Sequence, residues 1–72
     1  MTRNEYIQWC KDRANARLEK GEMKDAWASM ISDLTKHPET KNHAGIELGI
    51  MLMRDGLLNT HQEIKKYIDG FN

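Results

Sequence analysis

The sequence of 72 residues is poor in cysteine and proline and has no long hydrophobic run. Its single cysteine, Cys10, cannot form an intramolecular disulfide, which excludes a small fold held together by such bonds. The longest apolar stretch, residues 50–53, is far shorter than the ~20 residues of a membrane span. The first ten residues lack the continuous apolar segment of a secretory signal. We therefore expect a cytoplasmic protein without a membrane partner.

The sequence also lacks an excess of charge of either sign. Eleven lysines and arginines balance eleven aspartates and glutamates, so the formal net charge is +0. Nucleic-acid-binding domains usually carry a basic surface, and the balance argues against such a partner. Hydrophobic residues make up 39% of the chain and charged residues 31%, which suits a soluble folded domain. We expect one domain over residues 1–72 that gains stability by self-association, since so short a chain forms only a small core.

Two capping boxes mark the predicted first and last helices. Thr2 and Glu5 have the spacing at which each side chain satisfies a backbone N–H of the first helical turn, and Thr60 and Glu63 repeat it. Apolar residues at helical spacing follow each box and end at a glycine or near the end of the chain: Ile7, Cys10, Ala14, Leu18 and Gly21, then Ile64, Tyr67, Ile68 and Phe71.

Two further helices are predicted between these. The second carries a broad apolar stripe and ends before Pro38, which has no N–H to continue a helix. Thr40 or Asn42 is the predicted cap of the third, whose apolar residues point in nearly all directions and so favour a position at the centre of the fold. The predicted fold class is all-α, a compact bundle of four short helices at about residues 2–20, 22–37, 41–55 and 60–70.

Gly45 and Gly49 lie on one face of the predicted third helix. Each costs about 1 kcal/mol relative to alanine inside a helix. We expect the close approach of a neighbouring helix to offset this cost, and keep a bound ligand as the alternative.

The segment of residues 21–38 resembles the second helix of a tetratricopeptide repeat. The residues that match the spacing of that repeat are Gly21, Met23, Ala26, Met30 and Pro38. Asp33 departs from the pattern, and no second copy follows in register. Because such repeats need stacked neighbours, the resemblance implies a similar helical hairpin and not a peptide-binding solenoid.

From about residue 14 to residue 72, the chain looks like small uncharacterised proteins of tailed bacteriophages. The residues behind this resemblance are Gly21, Ala26, Ser29, Met30, Ser32, Asp33, Leu34, His37, Pro38, Glu39, Thr40, His43, Gly45, Ile46, Leu52, Gly70, Phe71 and Asn72. The resemblance implies a compact accessory protein acting in the cytoplasm of an infected bacterium, and carries no activity with it.

Candidate chemistry is sparse. His37, His43 and His61 lack the tight spacing of a zinc site, and we expect His37 at the end of the second helix and His43 bonded near the start of the third. Cys10 lies on an apolar stripe, which indicates a buried hydrophobe and not a nucleophile. We expect no enzyme activity, no cofactor and no metal.

A polar cluster on the second helix has two interpretations. Ser29, Ser32 and Asp33 are close enough along the helix to bind a polar ligand together. Hydrogen bonds from these residues to the third helix or to the loop before it are the simpler prediction.

The leading functional hypothesis is a protein-interaction module that associates with itself and with a host or phage protein. Trp9 lies some 130° from the centre of the first apolar stripe, beside arginine, and tryptophan and arginine dominate binding hot spots. A kinked first helix, or a fourth helix lying over it, would bury Trp9 within the monomer equally well. The predicted interface consists of Tyr6, Trp9, Arg13, Arg17 and Lys20.

The alternative hypothesis is the binding of a small molecule or nucleotide. A cleft over the two glycines of the third helix would admit a charged ligand. The residues predicted to line it are Ser32, His37, Lys41, His43, Gly45 and Gly49.

Overall fold

The computed structural model describes all 72 residues and consists of four α-helices without a strand. The helices are α1 (Arg3–Glu19), α2 (Met23–Thr35), α3 (Ala44–Arg54) and α4 (His61–Asp69). The predicted all-α bundle of four short helices is confirmed. None of the four is both long enough and apolar enough to cross a lipid bilayer.

Both predicted capping boxes form. The Glu5 N–H donates to Thr2 Oγ1 at 3.1 Å, and the Thr2 N–H donates to Glu5 Oε1 at 2.8 Å. Thr60 and Glu63 make the same reciprocal pair at the start of α4, with both distances 3.1 Å. The first turns of α1 and α4 are thus fixed by local sequence alone.

Glycines in the left-handed region end α1 and α3. Gly21 has φ +80° and Gly56 has φ +76°. The next residue closes each helix in a Schellman motif: the Glu22 N–H donates to the Arg17 carbonyl at 3.1 Å, and the Leu57 N–H donates to the Leu52 carbonyl at 2.8 Å. These glycines accept a backbone conformation that a side chain would strain.

The cap of α3 differs from the prediction. Neither Thr40 nor Asn42 caps the helix; His43 does, through Nδ1, which accepts the Gly45 N–H at 2.9 Å. Thr40 is instead fully buried, and its hydroxyl donates to the Leu34 carbonyl at 2.6 Å. The threonine therefore satisfies the C-terminal end of α2, a tertiary role that spacing alone does not show.

The core lies between α1, α2 and α4. Helices α1 and α2 form an antiparallel hairpin with the most extensive contacts in the molecule, and α4 packs against both. The buried apolar residues come mostly from one stripe on each of these helices: Ile7, Cys10, Ala14, Leu18, Ala26, Met30, Leu34, Ile64, Ile68 and Phe71, with Ile46 and Leu58 at the edge.

The predicted central position of α3 is wrong. Only Ile46 and Gly49 of this helix are buried, while Leu48 and Met51 stay 51% and 48% exposed. The helix contacts α2 chiefly, and packs there through a hydrogen bond from the Trp27 indole N–H to the Gly49 carbonyl at 3.2 Å. It lies at the side of the fold because the stripes of α1, α2 and α4 complete the core without it.

Candidate interaction surfaces

Three of the five residues predicted for an interface on α1 form one cluster. The rings of Tyr6 and Trp9 stack with centroids 5.4 Å apart, and the Arg13 guanidinium lies 4.7 Å from the centroid of the Trp9 ring. Trp9 is 39% exposed, so neither a kink in α1 nor α4 buries it within the monomer. The cluster, here called the α1 aromatic cluster, leaves part of the indole exposed to solvent.

The end of α2 holds this cluster in place. The Tyr6 hydroxyl donates to the Asp33 carbonyl at 2.5 Å, and the Tyr6 ring packs on the His37 ring with centroids 4.5 Å apart. Arg13 Nε donates to the Asp33 carboxylate at 2.8 Å. Both partners of the exposed Trp9 are therefore fixed from α2 before any other molecule binds.

Asp33 is the central polar residue of this arrangement and was not predicted to have that role. Its carboxylate is buried, accepts from Arg13, and lies 3.9 Å from Lys36 Nζ. The polar cluster of Ser29, Ser32 and Asp33 was predicted to bond to α3 or its preceding loop, and this is wrong: the bonds of Asp33 go to α1. The turn of α2 that carries Asp33 faces α1 in the antiparallel hairpin, which the sequence of α2 alone does not show.

The remaining two residues of the predicted interface extend the α1 surface. Arg17 is exposed and lines a shallow polar pocket of about 380 Å³ between α1 and α2, together with Arg13, Ser32 and Lys36. The Ser29 hydroxyl beside it is buried and has no hydrogen-bond partner. Lys20 is exposed at the C-terminal end of α1. Arg17 and Lys20 thus supply positive charge along the helix, at a distance from Trp9.

The ionisable groups beneath the α1 aromatic cluster are poorly suited to chemistry at neutral pH. Burial raises the pKa of the Cys10 thiol to about 11 and also raises the pKa of the Tyr6 hydroxyl. The Cys10 side chain is completely buried, in agreement with its predicted role as a small hydrophobe. The site offers contact surface and no activated nucleophile.

The six residues predicted to line a ligand cleft are not brought together. His37 packs against Tyr6 on the α1 side, Ser32 lines the polar pocket, and Lys41 is exposed in the connection before α3. Of the six, only His43 and Gly45 line a common depression.

Both glycines of α3 are in contact with aromatic residues at the end of the chain. The Tyr67 ring and hydroxyl cover Gly49, and the hydroxyl donates to the Gly45 carbonyl at 2.6 Å. A Cβ built on Gly45 would lie 2.6 Å from the Phe71 ring. The predicted approach of a neighbouring helix is confirmed for Gly49, because Tyr67 belongs to α4. Burial raises the pKa of Tyr67 above its ordinary value, so its hydroxyl keeps the proton that it donates to Gly45.

An apolar groove runs between α3 and α4, with a volume of about 640 Å³. Its charged residues, Glu63 and Lys66, both belong to α4. The groove is otherwise lined mainly by aliphatic and aromatic side chains and glycine: Gly45, Leu48, Leu52, Leu57, Leu58, Tyr67, Gly70 and Phe71, with His43 at one end.

The outer face of α3 is a second exposed surface, which the prediction of a central helix missed. We define this α3 outer face by Ala44, Glu47, Leu48, Met51 and Arg54, all of which are exposed. Leu57, just beyond the helix, is 53% exposed and lines the adjacent groove. Half-exposed leucine and methionine side chains in adjacent turns of one helix form a patch, which is a stronger indication of an interface than isolated apolar residues.

No three histidine, cysteine, aspartate or glutamate side chains lie close enough together to hold a metal ion. His61, the third histidine of the sequence, is exposed at the start of α4. His37 and His43 each bond to a backbone N–H two residues ahead, that of Glu39 at 3.1 Å and that of Gly45 at 2.9 Å. Two of the three histidines thus have structural partners.

Comparison with known proteins found no match: no protein-family model fits the chain, and no curated protein or solved structure is significantly similar to it.

Proposed function

We propose that the chain is a non-enzymatic protein-interaction module that associates with itself and docks on a second protein. The observation that supports this most is the exposure of Trp9 between two fixed neighbours, Tyr6 and Arg13. In the setting implied by the resemblance to tailed-phage proteins, the module is an accessory protein of the bacterial cytoplasm, and the second protein belongs to the phage or its host.

The α1 aromatic cluster has the properties of a preorganised binding anchor. Tryptophan and arginine are enriched among residues that dominate binding energy, especially where they lie in rigid surroundings. Tyr6 is bonded to the backbone of α2, and Arg13 to the buried Asp33, so both have already lost rotamer freedom in the free protein. Binding then orders few additional side chains, which lowers the entropic cost of association.

The charges around the cluster indicate the chemistry of the partner. Arg17 and Lys20 are exposed on the same helix, and neither is in an ion pair. Asp12 and Glu19 are also exposed there and reduce the positive field, which disfavours a polyanion such as nucleic acid. The best-matched partner is a protein with an apolar recess for the indole and carboxylates at its rim.

Replacing Trp9 tests this proposal. The wild-type protein is used to capture a partner from expressing or infected bacterial cells, and the dissociation constant is then measured with the purified partner. We expect Trp9→Ala to weaken binding by at least about 2 kcal/mol, or ~30-fold, because the indole is lost from the centre of the surface. Circular dichroism should show unchanged helix content, since the indole lies outside the core.

Trp9→Phe provides the matched control. Phenylalanine keeps an aromatic face beside Tyr6 and Arg13, and should retain most of the affinity. Lys24→Ala, at an exposed position on α2, should leave binding unchanged. Equal affinity of the wild-type and Trp9→Ala proteins for the captured partner would refute the assignment of this surface.

The groove between α3 and α4 favours a second candidate function, the binding of a small molecule. Its volume is within the range of ligand pockets, and its apolar lining with His43, Glu63 and Lys66 at the edge suits an apolar ligand with a polar head. A fluorescent anilinonaphthalene sulfonate is a suitable probe. Under this hypothesis it raises the melting temperature in a concentration-dependent way, equally in the wild-type and Trp9→Ala proteins.

A further inference from the structure

The α3 outer face has an apolar centre. Leu48 and Met51 are three residues apart, so they are neighbours on the helix surface, and each is about half exposed. Leu52, partly buried, continues the apolar surface toward the groove, and the exposed Leu57 lies beyond the C-terminal end. The exposed apolar surface therefore extends from Leu48 to beyond the C-terminal end of α3.

One edge of this face carries two opposite charges. Glu47 and Arg54 are seven residues apart, so they lie two turns apart and within about 20° of each other around the helix. Glu47 has no ion pair, and the only carboxylate near Arg54 is the adjacent Asp55, at 3.5 Å and also exposed. Both charges are thus available to a molecule that covers Met51.

The same helix supplies a matching surface when it runs in the opposite direction. If a two-fold axis passes between residues 50 and 51, the edge that carries Glu47 faces the same edge of the second copy, and Glu47 meets the second copy's Arg54. The pair of Glu47 with Arg54 is therefore formed twice, once on each side of the axis. In a parallel pair, the two-fold axis would instead run along the helices, and the charged edge of one copy would face the apolar edge of the other, so that neither charge would have a partner.

The apolar residues fit the same arrangement. Met51 lies next to the axis and contacts its own copy. Leu48 lies opposite Leu52 of the second copy. The charge pairs and the apolar contacts therefore form in the same antiparallel alignment of the two helices, as a self-complementary surface requires.

We propose that α3 forms the seam of an antiparallel two-fold dimer, in which the α3 outer face packs against the same face of a second copy. This inference rests on the proposed function and specifies its self-association. It assigns self-association to α3 and leaves the α1 aromatic cluster free for a different partner. The half-exposed Leu48 and Met51 are then covered in the dimer.

Charge reversal tests this register. Sedimentation equilibrium of the full chain gives the dimer dissociation constant. Glu47→Arg and Arg54→Glu should each raise this constant at least about tenfold, because both symmetric attractions become repulsions. The double variant Glu47→Arg/Arg54→Glu should restore dimerisation, and a mixture of the two single variants should form a heterodimer.

The controls separate this effect from net charge and from folding. Glu19→Arg and Lys24→Glu make the same charge changes at exposed positions on α1 and α2, and should leave the dissociation constant unchanged. Reversal at Glu47 places a cation in the first turn of α3, which the helix dipole disfavours. The helix content of each variant is therefore compared with that of the wild type by circular dichroism, and we expect it to be unchanged.

Three outcomes would overturn the inference. A wild-type protein that stays monomeric at high micromolar concentration excludes the dimer, and binding of anilinonaphthalene sulfonate to that monomer would assign the apolar surface to a ligand. A dimer that tolerates both single reversals has its seam elsewhere. Failure of the folded double variant to dimerise refutes the antiparallel register.

The test also distinguishes this inference from the proposed function. Trp9→Ala should leave the dimer dissociation constant unchanged, since Trp9 is on α1. A monomeric protein that still binds its partner through Trp9 would refute the seam alone. A dimer sensitive to charge reversal, but with no Trp9-dependent partner, would refute the α1 assignment alone.

Discussion

α1 is the most polar of the four helices and buries a complete stripe in the core, whereas α3 is the most apolar and lies at the edge. Four residues of α1, from Ile7 to Leu18, are almost completely inaccessible to solvent. On α3, Leu48 and Met51 remain about half exposed. The number of apolar residues in a helix therefore does not determine how deeply the helix is buried.

The distribution of apolar residues around each helix explains this difference in burial. The four buried residues of α1 all lie on one narrow stripe, and two of them, Cys10 and Ala14, are small enough to let α2 approach closely. The apolar residues of α3 are distributed around the helix, and α2 and α4 cover only the side that contains Ile46 and Gly49. The narrow stripe of α1 is fully covered by α2 and α4, while the broad apolar surface of α3 keeps exposed side chains on its outer side.

The largest expected effect comes from truncating one buried residue of α1, compared with truncating one exposed residue of α3. Leu18→Ala should lower the free energy of unfolding by about 2–5 kcal/mol, because it leaves a cavity in the core of α1, α2 and α4. Since a domain of this size has about 3–5 kcal/mol in total, much of the variant should be unfolded. Met51→Ala should change the free energy by less than about 0.5 kcal/mol. Urea unfolding of dilute protein measures both.

Two controls refine this test. Ile68→Val removes one methylene group from the same core and should cost about 0.5–1.5 kcal/mol, which keeps enough folded protein for an accurate midpoint. Dilution keeps the chain monomeric, so that any loss of dimer contacts at Met51 does not contribute. A Met51→Ala variant as unstable as Leu18→Ala would show that α3 is part of the core.

The sequence predicts those parts of the fold that depend on neighbouring residues. The boxes of Thr2 with Glu5 and of Thr60 with Glu63 both form, and Gly21 ends α1 as expected. These features need only contacts within three to five residues. The position of α3 depends instead on whether the other helices complete the core alone, and its hydrophobic pattern does not contain that information.

The α1 aromatic cluster likewise has one feature that the local sequence predicts and another that depends on tertiary contacts. The helical angle of Trp9 placed it off the core stripe, and its exposure follows from that angle. The anchoring of Tyr6 and Arg13 by Asp33, however, joins residues 20 and 27 positions apart. An aspartate near an apolar stripe of α2 was the only signal, and the hairpin geometry decides which helix it contacts.

The inner side of α3 provides the next test of the comparison. At an open position in a helix, Gly49→Ala would stabilise the protein by about 1 kcal/mol. Here the new Cβ would clash with the Tyr67 side chain, so we expect a net loss of about 1–3 kcal/mol, measured by urea unfolding. α3 would then tolerate a smaller side chain on its outer face, but no larger side chain on its inner side.

A double-mutant cycle identifies the cause of that loss. Tyr67→Leu removes the hydroxyl and ring that cover Gly49, at the cost of the hydrogen bond to Gly45. In this background, Gly49→Ala should cost at least about 1 kcal/mol less than in the wild type. Equal costs in both backgrounds would mean that Tyr67 does not limit the space at Gly49.

Acid should produce the smallest effect, and it should act on the α1 side of the molecule. The Thr2 backbone N–H, with the Thr2 hydroxyl, lowers the pKa of Glu5 below its ordinary 4.5. The Asn15 amide, with Lys65, lowers the pKa of Asp69 below its ordinary 3.8. Both groups bind protons more readily in the unfolded chain, so their stabilisation is complete above those ordinary values and is lost as the pH falls through the lowered ones.

We therefore expect the melting temperature to fall slightly below about pH 4, on top of any general effect of acid. Glu5→Gln keeps an acceptor at the third position of α1 but cannot titrate, and should show a smaller fall than the wild type. In protein dilute enough to be monomeric, Glu47→Gln is the matched control on α3, where the carboxylate has no ion pair within the chain, and should follow the wild-type profile. If both variants shared one pH profile, the capping box of α1 would not be the acid-sensitive contact, and α1 and α3 would differ in burial without differing in their response to protons.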